Sequence, residues 1–308
     1  MSDLATVTGT PTEPAMAPAK LRDHRVIRWL VMLGPSGCLA LAGLLFVVVL
    51  AIFAPLIASH PPLTTNLEQV NQAPTLRLTS FGAHPFGTDE LGRDVFSRVV
   101  YGARMPLIIG AVAVVISGAI GSLFGVVAGY LGAAADQILS RLSDIQLAIP
   151  AILFALLILA FGGRGTVPLI IVIALASWPT YFRVCRSAVL SLRRQPFVES
   201  ALVSGGSTWY VISRHLLRAV APVAIVTATL SLSRAVLLEA GLSFLGLGVQ
   251  PPTPDWGLMV SEGQSYISSA WWIAVFPGLG LVLLVLCANV LGDRLSDALA
   301  PGASGRRQ

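Results

Sequence analysis

The run PLIIGAVAVVISGAIGSLFGVVAGYL, from Pro106 to Leu131, contains no charged residue. Crossing the ~30 Å hydrocarbon core of a bilayer takes ~20 apolar residues in a helix. A helix also satisfies every backbone N–H and C=O from within, which lipid cannot do. The run is therefore predicted to span a membrane. Within it, Gly121, Gly125 and Gly129 recur every four residues. They share one helix face, and a face without side chains lets a second helix approach closely.

Working outward, five further stretches meet the same criterion: about Leu33–Ile57, Leu142–Phe161, Val167–Cys185, Ala219–Leu242 and Ala270–Leu291. The glycine-rich run Gly162, Gly163, Arg164 and Gly165 lies between the third span and the fourth, and reads as a tight turn at the membrane surface. Residues 1–28 are polar and rich in Pro, Thr and Ala, and predict a flexible tail. The apolar run after them lies too far from residue 1, and is too long, for a cleaved signal peptide. It reads as a retained anchor.

Composition agrees. The 308 residues are 55% hydrophobic and 11% charged, with mean hydropathy +0.79, whereas soluble domains carry roughly 25% charged residues. An ordinary cytosolic enzyme, a disordered chain and a nucleic-acid-binding chain are excluded. The expected fold is all-α, a polytopic membrane protein of about six spans over residues 29–300, with a second short tail at 301–308.

Positive charge orients the spans. Lys20, Arg22, Arg25 and Arg28 lie before the first, Arg141 between the second and third, and Arg183, Arg186, Arg193, Arg194, Arg214 and Arg218 between the fourth and fifth. Arg294, Arg306 and Arg307 follow the sixth; the other side has Arg77, Arg93, Arg98, Arg104 and Arg164. Fourteen against five places both termini in the cytoplasm by the positive-inside rule. Segment 58–105 is then external and loop 186–218 cytoplasmic.

Cys38, Cys185 and Cys287 lack any C-x-x-C spacing, so neither a disulfide framework nor a zinc site is implied. His24, His60, His84 and His215 are scattered without ligand spacing. No metal site is expected.

The cytoplasmic loop carries the functional signal. Pro196 suits the first turn of a helix, and Glu199 follows near the positive end of its dipole. Ala201 and Gly205 are four apart, so a continuous helix would present them together as a bare face. Such a helix can be an ordinary amphipathic connector or can dock into another protein's cleft. Taken as it stands, Glu199-Ser200-Ala201-Leu202-Val203-Ser204-Gly205 resembles the E-A-A-x-x-x-G loop of permease subunits in ATP-binding-cassette (ABC) importers. The family pattern ends in I-x-L-P; here Leu217 fits, Arg218 replaces the proline, and Ser200 replaces a small residue with another.

Two more segments narrow the resemblance to the C-type permease of the dipeptide, oligopeptide and nickel importers. One runs His84-Pro85-Phe86-Gly87-Thr88-Asp89-Glu90-Leu91-Gly92-Arg93-Asp94-Val95-Phe96-Ser97-Arg98 and on through Tyr101 to Arg104. The other runs from Glu239 to Gly248 and into Gln250-Pro251-Pro252-Thr253-Pro254-Asp255-Trp256-Gly257. The resemblance covers roughly residues 30–300. It implies a type I importer permease in a bacterial-type inner membrane, with Glu199, Ser200, Ala201, Gly205 and Leu217 in its ATPase-coupling helix. Implied partners are a second homologous permease, two ATPase subunits, an external solute-binding protein, a peptide substrate and membrane lipid, with no nucleic acid. No cofactor is expected on this chain; the partner ATPases use ATP and Mg.

The residues carry further expectations of their own. Thr88 or Asp89 can cap a helix entering the second span, with Asp89–Arg93 and Asp94–Arg98 as i,i+4 pairs. Arg141 and Asp144 are placed to pair. Trp256 either anchors at the interface or faces a ligand. Arg234 and Glu239 are charges inside the fifth span, where charge is costly and usually functional. They sit ~140° apart on a helix, so they do not pair with each other. Both are candidates for the translocation path, and for Glu239 a helix-to-helix hydrogen bond is an equal alternative.

A Walker A loop, G-x-x-x-x-G-K-[ST], is needed to grip phosphate. The one lysine, Lys20, has no such loop before it, so this chain is not the ATPase. A lone ion-coupled carrier would show internal repeats and broken mid-membrane helices, and a membrane enzyme would cluster catalytic side chains; neither pattern is evident. Dipeptides, longer peptides, nickel chelates and glutathione-like solutes all remain compatible with the sequence.

Overall fold

The computed structural model describes residues 24–75, 84–205 and 207–299. Its helices are α1 (His24–Ile52), α2 (Ala54–Ile57), α3 (Val95–Gly102), α4 (Arg104–Leu131), α5 (Ala133–Leu147), α6 (Ala151–Gly162), α7 (Thr166–Leu192), α8 (Pro196–Val203), α9 (Thr208–Tyr210), α10 (Leu217–Phe244), α11 (Trp256–Gln264) and α12 (Trp272–Leu299). No strand is present among the described residues.

Five stretches are long and apolar enough to cross a bilayer: Leu33–Ile52, Val95–Leu131, Thr166–Leu192, Thr208–Phe244 and Trp272–Leu299. The expected third span, Leu142–Phe161, is corrected. It is split between α5 and α6, which meet at a 92° bend. Pro150 stands at the break as the N-cap of α6. Proline has no N–H to donate and pushes the residue before it out of the helical region. At 1.5 Å per residue, the 12 residues of α6 extend ~18 Å, short of the hydrocarbon thickness. The chain thus has five such spans, or six where the bent pair is counted as one.

The expected tail also needs adjustment. Helix α1 begins at His24, inside the polar segment 1–28, and kinks at Gly34 just before Pro35. Residues 1–23 and 300–308, which hold the rest of the two expected tails, lie outside the described residues.

Packing follows the glycines. A Cβ on Gly121 would collide with the Trp178 carbonyl oxygen, and one on Gly125 would lie 2.6 Å from that of Phe182. At Gly129 a Cβ would stand 2.9 Å from the Val189 Cβ. The bare stripe of α4 is therefore filled by the α7 backbone. Ile109, Ala113, Leu169, Val172, Ile173, Ala235 and Leu242 form one core among α4, α7 and α10. A second joins α3, α11 and α12 around Val95, Trp256, Met259 and Ile273. Between α10 and α12, Ser233 Oγ donates to Asn289 Oδ1 at 2.6 Å, a polar contact of the kind that holds membrane helices together.

Candidate functional site

The loop between α7 and α10 is anchored on one side and bare on the other. Val198 of α8 is buried in a cluster with Val126, Cys185, Val189, Val211, Ile212 and Leu216. Leu217 opens α10 and packs half-buried against that cluster, so it supports the loop from behind. Ser200 is exposed; its hydroxyl donates to the Pro196 carbonyl at 2.8 Å, and Ser204 repeats the bond to Ser200. Val203 and Trp209 are 89% and 63% exposed, and Tyr210 is also exposed. Apolar side chains are thus displayed at the tip of a loop carrying much of the chain's positive charge.

One expectation fails here. Ala201 and Gly205 do not share a helix face, because α8 ends at Val203 and Gly205 lies in the turn beyond it at φ +83°. Glycine accepts that left-handed conformation without a Cβ penalty and commonly ends helices this way. A Cβ at Gly205 would meet nothing within 4 Å. The side chains of Glu199 and Ala201 lie outside the described part of the chain.

Beside this loop, α5 is tied to α7 by two ion pairs, Asp136–Arg186 and Asp144–Arg183, the latter at 2.7 Å. Asp144 therefore takes Arg183 rather than Arg141. Gln146 accepts from Trp178 Nε1 at 2.8 Å and donates to the Leu175 carbonyl.

Arg234 and Glu239, the two charges deep in α10, have opposite fates. Arg234 is exposed on the same outward stripe as Val223 and Leu237. Glu239 is 0% exposed, and its Oε1 accepts from Ser243 Oγ at 2.9 Å. It adjoins the buried Asp255, which caps α11 through the Leu258 N–H at 3.0 Å. Glu239 Oε2 and Asp255 Oδ1 have no hydrogen-bond partner among the described residues. Gly257 permits the approach: a Cβ there would sit 2.6 Å from the Ala240 carbonyl oxygen. In this conformation Glu239 is sealed from the surface and joins α10 to α11, the helix-to-helix alternative of the sequence reading.

Trp256 is corrected too. It neither anchors at an interface nor faces a ligand; it is buried, and its Nε1 donates to the Val99 carbonyl at 2.8 Å.

The segment before α3 is a cage of charge. Asp89 is fully buried and accepts from the backbone N–H groups of Leu91 and Arg93, both at 2.9 Å, from Arg93 Nε at 2.6 Å, and from Arg98. Arg98 continues to Glu262 at 2.9 Å, and Arg93 to Glu90 at 2.9 Å. Burial, with Asp89 beside it, holds the Glu90 carboxyl above its ordinary range. The helix cap is Asp94, through Ser97 N at 2.8 Å, not Thr88 or Asp89. Arg98 pairs with Asp89 instead of Asp94. His60 and His84 converge on Asp94, a grouping that sequence spacing did not reveal because three separate turns of chain build it.

These features define a helical, multi-pass membrane protein with a buried, charged scaffold where α3 begins and a projecting, anchored loop between α7 and α10. The family described as binding-protein-dependent transport system inner membrane component matches residues 121–305, and the N-terminal TM domain of oligopeptide transport permease C matches residues 35–74. The chain is 42% identical to the dipeptide transport system permease protein DppC of Alkalihalophilus pseudofirmus, over 85% of this chain and 86% of that one. It is 36% identical to the probable D,D-dipeptide transport system permease protein DdpC of Escherichia coli K12, over 91% and 92%. To the glutathione transport system permease protein GsiD of Escherichia coli O6:K15:H31 the identity is 40%, over 87% and 88%. The chain belongs to the family of binding-protein-dependent, ABC-importer permease subunits.

Proposed function

We propose that this permease carries peptides, from dipeptides to glutathione-sized molecules, through a path shared with a second homologous permease. Two ATPase subunits on the cytoplasmic side hydrolyse Mg-ATP, and an external solute-binding protein delivers the solute. The chain performs no covalent chemistry. It alternates between outward-open and inward-open states as the loop around α8 follows the motors.

The observation that carries this reading is the α7–α10 loop. Val203 and Trp209 project while Val198 ties α8 to the spans, so a push on the loop passes directly into α7 and α10. Replacing Gly205 with Trp is expected to abolish uptake while the protein still inserts: the added side chain meets no atom of this chain, and at φ +83° the strain it brings is confined to the turn after α8. Normal uptake with normal ATPase association in Gly205→Trp would overturn the coupling role.

Arg234 supports the path itself. A charge at mid-span facing lipid costs ~2.5–3.5 kcal/mol on insertion scales, so its outward stripe faces the partner permease and the solute cavity between them. There the guanidinium meets the carboxylate end of a peptide. Arg234→Gln is expected to reduce uptake of peptides with a free C-terminal carboxylate at least tenfold more than uptake of amidated analogues. Equal losses would remove Arg234 from solute recognition.

Both termini are assigned to the cytoplasm. The exposed Ser268, between α11 and α12, is then external. Ser268→Cys should react with an impermeant thiol reagent in intact cells; reaction only after lysis would reverse the topology.

A further inference from the structure

We propose that His60, His84 and Asp94 form a binding site for a divalent transition-metal ion of the zinc type. Their ligating atoms all lie within 4.8 Å of one another. Neighbouring ligands about a tetrahedral zinc, at bond lengths near 2.0–2.1 Å, stand about 3.3 Å apart. His84 Nδ1 is 2.9 Å from Asp94 Oδ1, and His60 Nδ1 is 4.0 Å from Asp94 Oδ2. Small side-chain rotations bring the set to that spacing.

The surrounding hydrogen bonds point the same way. Asp94 Oδ2 is committed to Ser97, accepting from its N–H at 2.8 Å and its hydroxyl at 2.6 Å, which leaves Oδ1 to bind outward. Gln69 Oε1 lies 3.1 Å from His84 Nε2. With the proton on Nε2 to serve that acceptor, His84 Nδ1 aims a lone pair at the carboxylate. Two acceptors at 2.9 Å repel unless a cation or a second proton lies between them. Orientation of a ligating imidazole through its other nitrogen is the usual outer-sphere arrangement at metal sites. His60 Nδ1 is buried without a hydrogen-bond partner, and it faces the same point. A second proton on His84, or a Gln69 amide turned to donate to Nε2 with the His84 proton on Nδ1, would satisfy His84 and leave His60 orphaned; a metal ion satisfies both.

The Asp94 side chain is 0% exposed, that of His84 11% and that of His60 32%. The open side at His60 gives an ion a way in and a fourth position for water. Because Asp94 also caps α3, which leads into α4, occupancy stiffens the entry of that span.

The test uses the full chain in detergent, purified through a tag without histidine or cysteine, washed with chelator and titrated with Zn2+ near neutral pH. One saturable zinc per chain is expected, with a rise in melting temperature on binding. Co2+ in its place should give the visible absorption of a tetrahedral nitrogen and oxygen site. His60→Ala and His84→Ala should each weaken zinc binding roughly a hundredfold, whereas His215→Ala should leave it unchanged. Acidification should weaken it as protons compete for the imidazoles. Unaltered binding in both variants overturns the site. Absence of saturable binding overturns it as well and assigns the His84–Asp94 contact to a direct hydrogen bond.

Discussion

Replacement of Asp89 by alanine is expected to cost the folded chain ~3–5 kcal/mol, the range seen when one partner of a buried ion pair is removed. Asp89 receives two arginines and two backbone N–H groups. Without it, Arg93 and Arg98 share Glu90 and Glu262, and Arg98 is 1% exposed. Thermal unfolding in detergent should show a markedly lower midpoint and less protein recovered from the membrane. Converting Arg98 to methionine in the same chain removes one stranded charge and should restore part of the loss. If the double variant were as unstable as the sum of the two single variants, the Asp89–Arg98 contact would carry no coupling energy.

Gly121→Leu should be as damaging for a different reason. The Cβ alone would overlap the Trp178 carbonyl oxygen and lie 2.6 Å from the Tyr181 Cβ, so α4 and α7 must separate along their contact. Overpacking a tight core costs ~1–3 kcal/mol and sometimes more, and here a rigid backbone resists it. Gly162→Leu is the control, since a Cβ there meets nothing within 4 Å. Loss of monodisperse protein for Gly121→Leu alone is the expected pattern; comparable behaviour of both would show that α4–α7 packing does not depend on the stripe.

That stripe was legible in the sequence because spacing along a helix is a local property. Gly121, Gly125 and Gly129 recur at helical intervals and do meet a partner helix. The split of the third span was less so: Pro150 is visible, but hydropathy averages across it and registers one apolar segment. Gly205 was misread for a similar reason. Four-residue spacing from Ala201 puts them on one face only if the helix continues, and a glycine at positive φ is what ends it.

The charged residues divide along the same line. Sequence reasoning paired Asp94 with Arg98 and Arg141 with Asp144, because i,i+3 and i,i+4 neighbours are the partners a helix offers. The chain uses longer reaches, from Arg98 to Glu262 and from Arg183 to Asp144. Once Asp89 and Arg98 are buried together, loss of solvent rewards every available partner, whichever part of the chain supplies it.

The sequence by itself determined the all-α membrane class, the apolar segments, the lack of an ATPase loop and the ABC-permease resemblance, since each depends on composition or on short contiguous patterns. Tertiary structure alone decided that Glu239 is sealed against Asp255 while Arg234 faces outward, that Trp256 is a core residue, and that His60 and His84 meet at Asp94. Those outcomes rest on segments far apart in the chain being folded against one another. Burial, and the need to satisfy buried polar groups, is settled only when both sides of a contact are in place.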